Sequence, residues 1–302
     1  MAECRFARLG HRAVLRVDGE DRQSFLQGLI SNDIAKAGPG RAMWAAFLTP
    51  QGKFLNDLFI TETGGAFLID VEAARAEEFR KKLGLYKLRS RVGITPAGGM
   101  AVWAAWGGGA STALGVPDEA GAAVPFAGGM AYVDPRLAAA GLRLMLPEAE
   151  GAAALAAAGL AEDSADAWDG VRMALGLPDG SRDLPLEKAI LLENGFDELG
   201  GIDFTKGCYM GQELTSRTKY RGLVRKRLMP VEIDGPAPEP GSPVMLGDAD
   251  AGEMRSSAGK TGLALIRLDA WRKAGGERGA FVCGAARLSP AKPDWAVFPE
   301  PE

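Results

Sequence analysis

The sequence has one histidine in 302 residues, His11, so a His-rich metal centre is excluded and any triad chemistry would have to recruit that single side chain. It has three cysteines, Cys4, Cys208 and Cys283, widely separated and with no CxxC pair. That set fits neither a disulfide framework nor a zinc site built from this chain alone, and a metal held by one of these thiols needs ligands from outside. No apolar run approaches the roughly 18 to 20 residues that cross a bilayer. Even the alanine-rich stretch from Ala149 to Ala161 is broken by Glu150, Gly151 and Gly159. The first twenty residues include Glu3, Arg5, Arg8, Arg12, Arg16, Asp18 and Glu20, which leave no apolar core for a secretory signal, and a cytoplasmic address is expected. What is present is ordinary for a globular chain: 47% hydrophobic and 25% charged residues, 35 Lys and Arg against 39 Asp and Glu, and a net charge of −4. The length leaves room for two or three compact domains.

Periodicity predicts a helix over Asp21 to Ile30, with Phe25, Leu26, Leu29 and Ile30 at helical spacing. Two extended runs, Trp44 to Thr49 and Phe54 to Thr61, hinge on Pro50, Gln51 and Gly52 and read as a β-hairpin. A strand at Ala66 to Val71, a helix from Ala73 to Leu83 and an extended pair between Val92 and Trp106 follow. Neighbouring strands with helices to one side indicate an α+β architecture rather than a doubly wound parallel sheet. The Gly, Ala and Pro of Gly107 to Gly129 mark loops and irregular hairpins, helices are expected at Ala149 to Leu160 and Ala165 to Leu175, and short strands between turns indicate a terminal β-domain from Met229 on.

Two nucleotide-binding patterns fail on inspection. The AGKT string at Ala258 to Thr261 has Met254 where a phosphate loop needs glycine, and Gly107 and Gly109 would need glycine at Thr112. The informative segment is KGCYMGQELTSRTKYRGLVRKR, Lys206 to Arg227. Its seven basic residues, Lys206, Arg217, Lys219, Arg221, Arg225, Lys226 and Arg227, stand against the single acid Glu213 in an acidic chain. Such a stripe is either a solvated face or the contact for an anionic partner. Cys208 follows Gly207 and precedes a segment, Tyr209 to Thr218, expected to begin a helix that Gly222 ends. A thiol at that helix start beside Lys206 would be stabilised as thiolate, which makes Cys208 the candidate nucleophile or metal ligand; its alternative is a small packed residue.

KGCYMGQE with Arg217, Arg221, Gly222, Lys226 and Arg227 resembles the signature of the YgfZ family, folate-binding proteins linked to iron–sulfur cluster assembly. FLQGLISNDI at Phe25 to Ile34, TPQGKFLNDLFI at Thr49 to Ile60 and LGGIDF at Leu199 to Phe204 carry the same resemblance over nearly the whole chain. The resemblance implies kinship with the glycine cleavage aminomethyltransferase and its three-lobed α+β fold, with antiparallel sheets, a ferredoxin-like lobe and a C-terminal β-barrel. The implied lobes are residues 1–45 with 146–228 for folate and the KGCY motif, 46–145 for the ferredoxin-like lobe, and 229–302 for the barrel.

The implied cofactor is tetrahydrofolate or a derivative. A carboxylate can accept both the amino and ring N–H donors of a reduced pterin, and Glu193 is the candidate, a surface glutamate being the alternative. Arg217 and Arg221 suit the anionic glutamate tail; Lys206 and Tyr209 complete the set, Tyr209 as a stacking ring or a core residue. Asp57 corresponds to a carboxylate that lies near the reacting nitrogen in the transferases, but there it belongs to an acid pair and here its neighbour is Asn56, an amide that cannot act as a general base. The expectation is therefore an accessory protein for cluster assembly or repair, serving cluster enzymes that include tRNA-modifying ones. Cys208 would hold a cluster transiently, shared with a carrier or client protein. The alternative is a folate-dependent aminomethyltransferase. Direct nucleic-acid binding by the basic stripe is not favoured, because only Tyr209 and Tyr220 could stack on bases.

Overall fold

The computed structural model describes residues 3–298 and divides them into two compact units. The first holds the chain up to Leu48, Leu55–Trp168 and Leu199–Met210; the second holds Thr49–Phe54, Asp169–Glu198 and the chain from Gly211 on. In chain order the elements are β1 (Arg5–Arg8), β2 (Arg12–Asp18), α1 (Arg22–Gln27), β3 (Met43–Leu48), β4 (Phe54–Thr63), β5 (Ala66–Glu72), α2 (Ala76–Lys87), β6 (Gly93–Pro96), β7 (Met100–Trp106), α3 (Ala110–Ala113), β8 (Ala123–Phe126), β9 (Gly129–Val133), β10 (Leu142–Pro147), α4 (Glu148–Ala157) and β11 (Ala161–Glu162). There follow α5 (Ala165–Ala174), α6 (Gly180–Asp183), α7 (Gln212–Tyr220), β12 (Lys226–Asp234), β13 (Pro243–Leu246), β14 (Ala249–Ala258), β15 (Thr261–Arg267), α8 (Leu268–Lys273), β16 (Phe281–Cys283) and β17 (Ala286–Pro290).

The first unit is built on two sheets, ordered β3-β4-β5-β2-β6 and β11-β1-β7-β10-β9-β8. Their ladders are antiparallel except for the short β1–β11 pair. Strand alternation gives each sheet one wholly apolar face. Met43, Ala45, Phe47, Leu58, Ile60, Phe67, Ile69, Leu15 and Val17 pack with Leu26 and Ile30, from α1 and the turn after it, and with Phe79 and Leu83 of α2. Trp103, Ala105, Ala131, Val133, Leu142 and Leu144 pack with Leu155 of α4. The extended pair expected between Val92 and Trp106 is two strands in different sheets: β6 pairs with β2, whereas β7 lies between β1 and β10. Both halves have strand composition, and composition does not say which partner a strand takes.

The opposite faces meet in a layer of charge. Arg12 donates to Asp57 at 2.9 Å and to Asp70 at 2.6 Å, and Arg143 of β10 donates to the other oxygen of Asp70 at 3.1 Å. All four side chains are at most 1% exposed. Arg136 pairs with Asp134 at 2.7 Å, and three guanidinium groups surround one ring, those of Arg143, Arg136 and Arg12 lying 3.8, 4.8 and 5.5 Å from the centre of Phe59. Three arginines and three aspartates balance in number, which is the condition for keeping charge in a dry interior.

In the second unit six strands close a barrel, β12-β15-β14-β13-β16-β17, around Met229, Val231, Val244, Met254, Ile266, Phe281 and Leu288. α5 lays Met173 against Leu228, Leu263 and Leu265, and its Arg172 donates to Asp183 at 2.6 Å. Asp183 in turn accepts from the hydroxyl of Ser256 on β14 at 2.6 Å, which ties α6 to the barrel wall.

Candidate functional site

Three segments singled out in the sequence converge in the first unit. After α1 the chain turns through Gly28 to Asn32, and there Ser31 Oγ donates to the carbonyl of Gly201 at 2.6 Å while Asn32 Nδ2 donates to that of Gly200 at 2.7 Å. The Asp203 amide returns a bond to Ser31 O at 3.0 Å, and Lys36 pairs with Asp203 at 2.9 Å. The FLQGLISNDI and LGGIDF strings are thus two halves of one interlocked structure. The KGCY loop closes on it at both ends. Lys206 Nζ donates to the carbonyls of Ile30 and Asn32 at 2.7 and 2.6 Å, and the Met210 amide donates to Gly28 O at 3.0 Å.

Lys206 therefore turns its ammonium inward. Burial pulls its pKa down to about 8 against the opposing pull of Asp33 and Asp203. It also lies 5.3 Å from the ring centre of Tyr209, which is 8% exposed, so these two residues occupy each other. Between the two anchors the chain bulges out. Gly207 takes φ +95, open to glycine and strained for any other residue, and Cys208 is exposed at the crest.

The expected placement of Cys208 at a helix start is corrected. α7 begins at Gln212, and Gly211 at its N-cap has φ +82, a left-handed break that separates the helix from the loop. Cys208 lies upstream of the first turn, where a helix dipole no longer acts. Its distinction is exposure on a braced loop. Cys4 is half-buried with its thiol toward Gly108 O at 3.4 Å, and Cys283 is buried in the barrel. Among the described residues no three His, Cys, Asp or Glu side chains gather as a metal site.

Asp57, also in the first unit, belongs to the charge layer. Its Oδ1 accepts from Arg12, while its Oδ2 has no hydrogen-bond partner among the described residues. The amide nitrogen of Asn56 is likewise buried and unpartnered among them.

Glu193, Arg217 and Arg221 lie in the second unit. Glu193 is half-buried in the turn Leu191–Asn194; burial pushes its pKa up against the pull of Lys226, Lys53, Arg255 and Arg227. Its carboxylate makes no hydrogen bond among the described residues, so both oxygens are available to a paired donor, which is the chemistry a reduced pterin asks for. Arg217 on α7 and Arg221, the residue that caps its C-terminal end, are exposed and line an open cleft of about 430 Å³ with Gln212, Glu213, Ser216 and Tyr220. The Thr49–Phe54 tip of the first hairpin also belongs to this unit. At Gly52, φ +79, a Cβ would stand 2.6 Å from both Gly211 O and Leu214 Cβ, so the tip can lie against α7 only as glycine.

The sequence reading missed a carboxyl pair in this unit. Asp197 and Glu198 share a hydrogen bond, with Lys219 donating to Asp197 at 2.8 Å and Arg227 to Glu198. Burial and that bond raise Glu198 to about 7 despite Arg227. For Asp197 burial works the same way but is outweighed by the bonds from Glu198 and Lys219, and its pKa falls. The group lines a cavity of about 350 Å³ with Leu192, Thr218, Val224 and Val297. Two adjacent acids in GFDELGG were the visible signal; their desolvation was not.

Comparison with known proteins gives three concordant results. Residues 225–298 match the C-terminal beta-barrel domain of CAF17. The mouse protein named iron–sulfur cluster assembly factor IBA57, mitochondrial, is 36% identical over 87% of this chain and 77% of its own length, and the human protein of that name is 35% identical over 95% and 84%. The crystal structure of the glycine cleavage system aminomethyltransferase T from Bartonella henselae superposes with a TM-score of 0.76 over 98% of this chain and 87% of that one, at 15% identity. The fold is thus the aminomethyltransferase-like one, with mixed α/β sheets and a closed C-terminal barrel. The expected cytoplasmic address is overturned by the relatives, which are named as mitochondrial proteins. The charged residues that prompted the cytoplasmic reading carry no organelle address.

Proposed function

The chain belongs to the family of the iron–sulfur cluster assembly factor IBA57, and from that premise we propose that it is a tetrahydrofolate-binding accessory protein that supports assembly or repair of clusters in client enzymes, tRNA-modifying ones among them. The observation that carries the proposal is Cys208, exposed on a loop that Lys206 and Met210 fasten to the turn after α1. One thiolate is one ligand, and a cluster requires four, so Cys208 can hold this cargo only together with thiolates of a carrier or client. A loop that stays in place keeps the exposed sulfur where a partner can reach it.

In this reading Glu193 accepts the paired donors of the pteridine, and Arg217 and Arg221 receive the carboxylates of the glutamate tail. A bound tetrahydrofolate would supply a nucleophilic nitrogen pair able to accept a one-carbon unit. The alternative of aminomethyl transfer finds less support: Asn56 replaces one acid of the pair, and Asp57 is engaged by Arg12 inside the charge layer. Cells carrying Cys208→Ser in place of the native chain test the thiol. Loss of cluster-dependent client activity, tRNA modification included, is expected with the protein still folded and abundant; normal activity removes Cys208 from the mechanism. Calorimetric titration with tetrahydrofolate tests the cofactor: binding is expected for the native chain and weakened by about tenfold or more in Glu193→Ala.

A further inference from the structure

At the C-terminal end of α2 the chain exposes apolar surface that nothing in the site above uses. Phe79 and Leu83 turn inward, with the Phe79 ring 5.2 Å from Phe47, but Leu85 is 75% exposed, Tyr86 41% and Leu88 89%. Leu88 also closes the helix with φ 43 and ψ −109, a conformation that a non-glycine residue adopts only under constraint. A leucine thus stands almost wholly in water at a position where glycine would relieve the backbone. Strain and exposure at one residue both act against the isolated chain, and both are the mark of a surface kept for contact.

The rim is cationic. Lys81, Lys87, Arg89 and Arg91 flank the three apolar residues along the chain; Lys81 is paired with Glu77 and Arg91 with Glu20 and Asp21, whereas Arg89 and Lys87 have no ion pair among the described residues. Leu88 and Arg89 also border, with Asp21 and Ser90, an open cleft of about 720 Å³. We propose that this end of α2 is a docking surface for an acidic segment of another protein, which receives Leu88 in an apolar pocket and faces Arg89 and Lys87 with carboxylates. The choice of a protein rests on the assembly-factor reading; the surface itself does not. A second copy of the chain docking by two-fold symmetry would set one cationic rim against another. A lipid surface would gain only two leucines and a tyrosine, less apolar area than a single acyl chain gives, on a chain of net charge −4.

The test uses the full chain in cells, with p-benzoylphenylalanine in place of Leu85 for photocrosslinking. The expected product is an adduct with a protein identified by mass spectrometry. That protein, once purified, should bind the native chain, and its Kd should rise about tenfold or more in Leu88→Asp and in Arg89→Glu and increase with salt. Leu88→Gly keeps the backbone path and should lose binding while unfolding no earlier than the native chain. Adducts only with lipid, only with a second copy of the chain, or none at all overturn the proposal, as does a Kd indifferent to all three substitutions. Client activity separates this inference from the one before it: activity kept in Leu88→Asp but lost in Cys208→Ser ends the docking surface alone, and activity kept in Cys208→Ser ends the role of the thiol alone.

Discussion

The charge layer between the sheets of the first unit and the carboxyl pair of the second use the same residue types for different ends. Around Phe59 every guanidinium has a full counter-charge, the aspartates accept from arginines that do not lose their protons, and the side chains of Arg12, Asp57, Asp70 and Arg143 are sealed from solvent. Asp134 is held below the usual carboxylate range by Arg136, although burial alone would raise it, while burial drives Tyr132 upward and keeps it neutral. Around Glu198 two acids face each other beside a cavity, and a proton settles the conflict between them. Asp134 in the first arrangement stays a carboxylate, and Glu198 in the second titrates near neutrality. Pairing with arginine makes structure; pairing acid with acid makes sensitivity.

The sharpest way to break the comparison is to remove the shared counter-charge of the layer. Asp70→Ala leaves Arg12 and Arg143 buried with only Asp57 between them, and a loss of about 3–5 kcal/mol in unfolding free energy is expected from denaturant titration. Adding Arg143→Met to Asp70→Ala should recover part of that loss, since the double variant has one fewer uncompensated charge. A loss under about 1 kcal/mol for Asp70→Ala would show that the layer tolerates imbalance, and the contrast with the second unit would disappear.

Lys206 is the intermediate case, a charge satisfied by carbonyls instead of carboxylates. Lys206→Met removes two charge-assisted hydrogen bonds and is expected to cost about 2 kcal/mol and to speed amide exchange at Met210. Its pKa is depressed from 10.5 to about 8, so between those values the unfolded chain binds the proton and the folded chain does not. This group therefore adds stability as pH rises through that window, and the methionine variant should lack that rise.

Glu198 has the opposite sign. Its folded pKa, about 7, lies above the ordinary 4.5, so its contribution is complete below 4.5 and is lost as pH rises through 7. Thermal unfolding of the native chain should shift down by on the order of a few degrees from pH 5 to pH 8 through this group, and Glu198→Gln, which cannot ionise, should flatten that part of the profile. The same experiment on the charge layer, with Asp134→Asn, should lower stability at all these pH values and leave the slope unchanged. A native profile as flat as that of Glu198→Gln would place the proton elsewhere.

The parts of this protein legible in sequence were those that repeat locally. Extended runs hinged on Pro50, Gln51 and Gly52 marked β3 and β4, and the alanine-rich stretches before Gly176 and Pro178 marked α4 and α5 within a few residues. Long-range choices were not legible: nothing between Val92 and Trp106 says that β6 and β7 part into two sheets, and nothing local says that Arg12, Asp70 and Arg143 meet. A charged residue inside an apolar strand, as in AFLIDVE or LRLMLP, was the available hint of the layer. The KGCY string singled out Cys208, but Gly211, with its left-handed backbone, set the helix start downstream of it.

The smallest expected effect on stability is the most discriminating for function. Cys208 is exposed, and Cys208→Ser should change the unfolding free energy by no more than about 0.5 kcal/mol, since its sulfur makes no hydrogen bond among the described residues. If client activity falls while stability does not, the loss belongs to the chemistry of the thiol. A fall in both would mean that the loop itself had been disturbed, and Lys206→Met, which loosens the loop but keeps the thiol, distinguishes the two. With an intact sulfur on a loosened loop, activity should decline partially; equal loss in both variants would make the bracing of the loop, rather than sulfur ligation, the property that matters.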